Sequence, residues 1–126
     1  MKICFLISEY VPHQLTVIKS LLDLDAKVLV FSYDKDRTRV PDFANFKDYN
    51  AAYTTKTEMI KTITAFNPCI IITAGWMFSK YKTVAKFFKS RKGVKTVAYS
   101  DTPWYGRLTQ RINCLISPLY PKRMFD

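Results

Sequence analysis

Short runs rich in β-branched residues alternate along this chain with longer amphipathic segments. The runs "KICFLIS", "AKVLVFSY", "CIIIT" and "VKTVAYS" have the composition of strands, and the segments between them carry apolar residues at helical spacing. Such alternation is typical of a parallel sheet whose crossover connections are helices. A last run, "NCLISP", and a short strand near Tyr49 to Ala52 bring the count to about six strands, so the sequence predicts a doubly wound, mainly parallel α/β sheet with helices on both faces.

Three helices are predicted between these runs. The first extends from about His13 to Asp23, and the second begins at Thr55 or Thr57, where a hydroxyl can cap free amides. The third begins at Ser79 and is stopped by Gly93. The expected buried stripes of the second and third helices are Met59, Ile60, Ile63 and Phe66, and Tyr81, Val84, Ala85 and Phe88.

Two other segments are less regular. The polar and aromatic stretch between the second run and the second helix fits a loop around a short third strand near Tyr49 to Ala52. Towards the end of the chain a short helix is predicted around Gly106 to Arg111, before the "NCLISP" strand.

Length and hydropathy indicate one domain over residues 1–126. The chain has 126 residues, of which 48% are hydrophobic, enough for a real core. No apolar stretch approaches the roughly 20 residues that cross a bilayer, and "MKICFLISEY" is too short and too soon interrupted by Glu9 for a signal peptide. A cytoplasmic protein is therefore expected.

The cysteines do not form a metal or redox motif. Cys4, Cys69 and Cys114 lie within or beside apolar runs with no close pair, so we expect buried, reduced thiols. With His13 as the only histidine, the sequence predicts no metal site and no Cys/His nucleophile.

Positive charge is concentrated in one part of the chain. The net charge is +10, and no acid occurs between Glu58 and Asp101. A basic face is expected there to contact anionic lipid headgroups or other anions, and its residues are Lys80, Lys82, Lys86, Lys89, Arg91 and Lys92. The alternative is that these side chains only form the solvated face of a helix.

Glycine is scarce, and this excludes several nucleotide sites. Gly75, Gly93 and Gly106 are the only glycines, so neither G-x-G-x-x-G nor a P-loop is present, and the loop after the first strand, "SEYVPHQ", has none. The same loop has a lone acid, Glu9, where a phosphoacceptor domain would need paired acids. A G-x-S-x-G nucleophile motif is also absent.

Polar and aromatic residues follow successive predicted strands, at the sheet edge where α/β folds bind ligands. The candidate substrate-binding residues are Ser8, Glu9, His13, Gly75, Trp76, Tyr99, Ser100, Asp101 and Trp104. Aromatic faces beside acids and hydroxyls suit a carbohydrate or an amphipathic ligand. Each of these residues also has a structural alternative. His13 would cap or begin a helix, Asp101 would cap the next helix, both tryptophans would belong to the core, and Gly75 would only make a turn.

The loop "SEYVPHQLTVIKSLL", the strand "NPCIIITAGW" and the segment "GVKTVAYSDTP" together resemble the N-terminal half of a GT-B fold glycosyltransferase, most of all glycosyltransferase family 4. The resemblance covers nearly the whole chain through loose motifs. In that family two Rossmann-like domains face each other; the N-terminal one chiefly binds the acceptor, and the C-terminal one holds the nucleotide-sugar. The resemblance therefore implies an acceptor-side domain that binds no cofactor and is inactive alone. The C-terminal domain that would bind the donor is missing from these residues.

Carried over by position, Ser8, Glu9 and His13 would line the acceptor side of the cleft. Gly75 and Trp76 would form its floor, and Ser100 and Asp101 would lie at the edge nearest the transferred sugar. Two departures weaken contact with the donor: Pro12-His13 replaces a Gly-Gly pair of many relatives, and Ser100 replaces a histidine. Retaining enzymes of this type use no obvious protein base, so no catalytic residue is assigned and His13 is cast as a positioning group. In an inverting relative it would be a general base.

The resulting functional prediction is the acceptor-binding domain of a glycosyltransferase that builds polysaccharide. Its partners would be a glycan or lipid-linked acceptor, the inner face of an anionic membrane and the donor-binding domain. Two alternatives are a non-catalytic Rossmann-like module whose basic face binds nucleic acid or another anion, and a small α/β protein of structural or regulatory use. Nucleic acid is not the expected partner, because no helix-turn-helix or stacking motif is present.

Overall fold

The computed structural model describes residues 1–34, 40, 42–74, 78–91 and 93–99. The strands are β1 (Lys2–Ile7), β2 (Lys27–Ser32), β3 (Phe46–Asn50), β4 (Ile70–Thr73) and β5 (Lys95–Ala98), and the helices are α1 (Pro12–Asp23), α2 (Lys56–Phe66) and α3 (Ser79–Lys89). The strands form one sheet in the order β3-β2-β1-β4-β5, and every pairing is parallel. The predicted α/β class is confirmed, and the architecture is consistent with a Rossmann-like fold. The predicted short helix and sixth strand lie outside the described residues.

The hydrophobicity of each strand follows its place in the sheet. β1 pairs with β2 on one side and β4 on the other, and all its residues after Lys2 are buried. β3 pairs only with β2 in the described sheet, and its residues alternate between half-buried and exposed. An interior parallel strand is covered on both faces and reads as continuous apolar sequence, whereas an edge strand can be mixed.

Two hydrophobic clusters flank β1. Cys4 and Leu6 belong to a cluster with Met59 and Ile63 of α2 and with residues of α3. The alternate β1 residues Ile3, Phe5 and Ile7 belong to a second cluster, which also contains Ile18 and Leu22 of α1. Because successive side chains of a strand point to opposite faces, these clusters use the two faces of β1.

The helices begin where local chemistry allows. Pro12 occupies the first position of α1, where a missing amide hydrogen costs no helical bond. Thr55 caps α2 in a capping box: its Oγ1 accepts from the Glu58 amide (3.2 Å), and the Glu58 carboxylate accepts from the Thr55 amide (2.8 Å). Asn67, in the left-handed region with φ of 53°, ends this helix before Pro68.

The predicted helix faces agree with the observed burial. Met59 and Ile63 are buried in α2, with Ile60 and Phe66 partly buried beside them. In α3 the predicted inner residues Tyr81, Val84, Ala85 and Phe88 are all buried.

Two predictions need correction. The third strand was expected near Tyr49 to Ala52, but β3 ends at Asn50, because the Asn50 side-chain oxygen accepts from the Ala52 amide (2.9 Å) and turns the chain. Cys69 was expected to be buried, but it is exposed. It precedes β4, at the rim of the sheet, and its thiol donates to the Lys2 carbonyl (3.0 Å). Cys4 is buried as predicted, and Cys114 lies outside the described residues.

Candidate functional site

The carboxyl ends of β1, β2, β4 and β5 meet at one edge of the sheet because the strands are parallel. Backbone hydrogen bonds tie the segments that leave this edge. The Tyr33 amide donates to the Ser8 carbonyl (3.0 Å), the Ala74 amide to Leu6 (2.9 Å) and the Tyr99 amide to Thr73 (3.0 Å). In addition, the Tyr10 amide donates to the Asp34 carboxylate (3.1 Å). The edge is therefore a fixed platform for side chains.

His13 lies at this edge, in the first turn of α1. The N-cap residue is Val11, so His13 does not cap the helix, and the structural alternative that it lies in the first turn is confirmed. The His13 imidazole and the Tyr99 ring have centroids 6.1 Å apart, with an angle of 48° between their planes. Two residues that are distant in sequence, one after β1 and one after β5, thus lie close together at the same edge of the sheet.

A small pocket of about 110 Å³ lies beside this ring pair. Apart from His13, Gln14 and Tyr99 its lining side chains are aliphatic or phenyl groups from α1, β1, β4 and the residue after β4: Phe5, Ile7, Val17, Ile72 and Ala74. Val17 and Tyr99 are both exposed, at 50% and 39% of their surface, so the pocket opens to solvent. A cavity of this composition suits an apolar group of a few carbon atoms.

Gln14 lines the pocket, but its side-chain oxygen is buried and does not open into it. Its side chain is only 8% exposed, and its Oε1 has no hydrogen-bond partner in the described part of the chain. An amide oxygen that is buried without a partner loses the free energy of a hydrogen bond.

A second aromatic group lies on the α3 side of the same edge. The rings of Tyr33, which follows β2, and Phe78, which precedes α3, stack with centroids 4.4 Å apart and 21° between planes. The Tyr81 ring lies against both, with centroid distances of 5.4 and 5.7 Å. Phe78 keeps 37% of its surface exposed, so this stack also presents an aromatic face to solvent.

Tyr81 anchors that group to the sheet. Its hydroxyl lies 2.8 Å from the carbonyl oxygens of Ile7 and of Phe31, the neighbouring ends of β1 and β2, and can donate to either. Burial raises the pKa of the Tyr81 phenol well above its ordinary value, with nearby Tyr33 adding to the effect. The hydroxyl thus stays protonated and holds the two strand ends.

The other predicted substrate-binding residues are placed as follows. Ser8 is half-buried and Glu9 exposed; both follow β1 at the same edge but do not line the pocket as the described residues form it. The remaining ones lie outside the described residues: Gly75, Trp76, Ser100, Asp101 and Trp104.

The residues of the predicted basic face, on α3 and just after it, have unlike surroundings. Lys86 is exposed, Lys82 and Lys89 are half-buried, and the Arg91 guanidinium lies 4.3 Å from the centroid of the Phe87 ring. Lys80 donates to three backbone carbonyls of the segment between β3 and α2: Ala51 (2.7 Å), Ala52 (3.3 Å) and Thr54 (2.9 Å). Lys92 lies outside the described residues.

Metal ligation and membrane spanning have no support in the part of the chain that the structure describes. Within it no group of three His, Cys, Asp or Glu side chains is arranged to hold a metal ion. Of the helices described, none has both the length and the apolar composition needed to span a bilayer.

Sequence reasoning missed Gln14, Tyr33 and Phe78. Gln14 could have been found, because it shares a helix face with Ile18 and Leu22 at a spacing of four residues. A polar residue at such a position is buried and needs a partner. The Tyr33–Phe78 stack had no local signal, since it depends on the pairing of distant segments.

Comparison of the sequence with protein-family models and with curated proteins finds no match in either case.

Proposed function

We propose that this chain is the acceptor-binding domain of a glycosyltransferase that transfers a sugar from a nucleotide-sugar to a glycan or lipid-linked acceptor. The nucleotide-sugar would be held by a second domain outside these 126 residues. In this proposal the chain positions the acceptor and supplies no catalytic residue.

The observation that carries the proposal is the pocket beside His13 and Tyr99 at the carboxyl edge of a parallel sheet. In open α/β sheets ligands bind at this edge. An aromatic ring favours the C–H face of a sugar, and the apolar pocket next to it suits the first carbons of an aglycone or lipid chain.

The pocket residues have separate roles in this proposal. The Tyr99 ring stacks on the acceptor sugar, and the His13 imidazole exchanges hydrogen bonds with its hydroxyls. The Tyr33–Phe78 stack would contact the acceptor farther along the edge.

The basic side chains around α3 would bring the domain to an anionic membrane that carries a lipid-linked acceptor. Lys86 and Arg91 are exposed, and the Arg91 guanidinium lies over an aromatic ring, so cationic and apolar groups occur together. Surface lysines attract anionic lipid at roughly 1 kcal/mol each. Such attraction would make the association peripheral and sensitive to salt.

Acceptor binding can be measured on this chain by ¹H–¹⁵N NMR titration with octyl and methyl glycosides of several sugars. We expect saturable shifts of the amides of His13, Gln14, Val17 and Tyr99, with tighter binding of the octyl than of the methyl glycoside. His13→Ala and Tyr99→Ala should each weaken binding roughly 3- to 10-fold, the range expected when one aromatic side chain is removed.

Tyr53→Ala is the matched control, because Tyr53 is 88% exposed and lies between β3 and α2, away from the pocket. UDP-glucose should leave the four pocket amides unshifted. If no glycoside shifts these amides, or if binding persists in the His13→Ala/Tyr99→Ala double variant, the proposed acceptor site is refuted.

Membrane association is tested by sedimentation with vesicles of phosphatidylglycerol and phosphatidylcholine. Binding should fall steeply with added salt, and Lys86→Gln should weaken it roughly 5-fold, whereas Lys19→Gln on α1 should not. Salt-independent binding, or none, would eliminate the membrane part of the proposal and leave the acceptor site standing.

A further inference from the structure

A second and larger cavity lies at the opposite edge of the sheet from the candidate acceptor site. This basic groove has a volume of about 560 Å³ and is formed by the amino ends of β1 and β2, by β3 and by α2. Four lysines line it: Lys2, Lys27, Lys47 and Lys61. None of the described residues that line it is an Asp or Glu.

Strand register explains why the lysines converge. Lys2 and Lys27 are direct partners in the β1–β2 pairing, and Lys47 is the partner of Leu29, which lies two residues beyond Lys27. Side chains two residues apart share a face of the sheet, so three ammonium groups point to the face that α2 covers. Lys61 reaches the groove from α2.

The charges of these lysines are not compensated within the described part of the chain. No hydrogen bond or ion pair there involves the side chains of Lys27, Lys47 or Lys61, and the Lys2 ammonium group lies 5.7 Å from the centroid of the Phe66 ring. The acid next to Lys47, Asp48, is on the other face of β3 and accepts from the Ser32 hydroxyl (3.5 Å). Like charges on paired strand positions repel, so an anion in the groove would relieve a repulsion built into the fold.

Tyr49 adds an aromatic surface to the groove. Its ring stacks on the buried Phe31 ring with centroids 5.3 Å apart and 22° between planes, which fixes its orientation. The side chain is 39% exposed and lines the groove. A fixed aromatic ring beside several ammonium groups can stack a planar base while the lysines bind phosphates.

We propose that the basic groove binds a nucleoside di- or triphosphate, with its phosphates between the four lysines and its base on Tyr49. The volume lies within the range of small-molecule sites. A membrane surface is flat and would not enter a concave groove. A nucleic-acid strand would need a row of exposed stacking residues, whereas of the two described aromatic residues that line the groove Tyr49 is exposed and Phe66 is half-buried. The site is independent of the acceptor pocket, which uses the other edge of the sheet.

Isothermal titration calorimetry with ATP, ADP, adenosine and sodium triphosphate tests the proposal on the whole chain. We expect saturable, salt-sensitive binding of ATP and ADP, weaker binding of triphosphate and no detectable binding of adenosine. Lys27→Gln/Lys47→Gln should weaken ATP binding roughly 100-fold, or about 10-fold for each ammonium group removed. The control Lys19→Gln/Lys86→Gln removes the same charge elsewhere and should change binding less than about 3-fold.

Tyr49 is tested with two variants, since its ring also packs on Phe31. Tyr49→Phe should retain ATP binding, and Tyr49→Leu, which stays apolar, should reduce it to the level of triphosphate; circular dichroism checks that both are folded. The proposal is overturned if ATP does not bind, or if the two double-lysine variants weaken binding equally. It is also overturned if triphosphate binds as tightly as ATP, or if a single-stranded oligonucleotide binds more tightly than ATP at the same salt.

Discussion

Replacing Lys80 by methionine tests whether its ammonium group stabilises the fold. The Lys80 Nζ donates to the carbonyls of Ala51, Ala52 and Thr54 at 2.7, 3.3 and 2.9 Å, so all three of its donors are engaged. These carbonyls belong to the turn between β3 and α2, whereas Lys80 is in the first turn of α3. One side chain thus links two segments that are distant in the sequence.

The free-energy change follows from the exposure of each carbonyl. Ala52 is exposed and Thr54 half-buried, so water can replace the ammonium group at both positions. Ala51 is fully buried, and its carbonyl would be left without a donor. An unsatisfied buried acceptor costs about 1–3 kcal/mol. Because methionine retains most of the aliphatic stem, we expect Lys80→Met to lower the free energy of unfolding by about 2 kcal/mol.

Urea denaturation followed by circular dichroism measures this difference in free energy. In thermal denaturation the melting temperature should fall by roughly 8 °C for a domain of this size. Lys86→Met is the matched control, since Lys86 is exposed on the same helix and should change stability by less than about 0.5 kcal/mol. If Lys80→Met were as stable as Lys86→Met, the link between α3 and the β3–α2 turn would contribute nothing, and the reasoning would be refuted.

Three further variants probe the fold. Thr55→Ala removes the capping box of α2 and should cost about 0.5–2 kcal/mol in urea denaturation, whereas Thr57→Ala, outside the cap, should cost much less. Tyr81→Phe deprives the carbonyls of Ile7 and Phe31 of their shared donor and should cost about 1–3 kcal/mol, against a near-neutral Tyr53→Phe. Burial raises the pKa of the Cys4 thiol, so the folded chain keeps a proton that the unfolded chain loses above about pH 9. Stability should therefore fall by about 1.4 kcal/mol between about pH 8 and pH 10, and a pH dependence unchanged in Cys4→Ala would contradict this assignment.

Elements with strong periodicity were predictable from the sequence. The stripes of α2 and α3 recur every three or four residues, and β1, β2 and β4 are almost wholly apolar, so their type and burial follow directly. The edge strand β3 was harder, because "FKDYN" has one covered face and few apolar residues. Its end was set by an Asn50 side-chain hydrogen bond, a local feature that periodicity does not register.

The candidate site was predictable in position but not in composition. Parallel strands bring their carboxyl ends to one edge, and the order β1-β4-β5 then allows His13 and Tyr99 to approach each other there. The lining of the pocket depends on which α1 side chains turn inward. Gln14 is buried there although its residue type favours the surface.

The lysines show why charge density along the chain is a poor guide to charge on the surface. Lys80 lies in the long acid-free stretch, yet its ammonium group is occupied by backbone carbonyls. Lys27 and Lys47 lie close to Asp25 and Asp48 in sequence, so their surroundings look electrically neutral. The period of two in a strand separates Lys47 from Asp48 onto opposite faces, and parallel pairing then sets Lys27 beside Lys2. The electrostatic potential at an edge of the sheet is therefore determined by strand period and register, and it can be derived from the sequence only after the order of the strands is known.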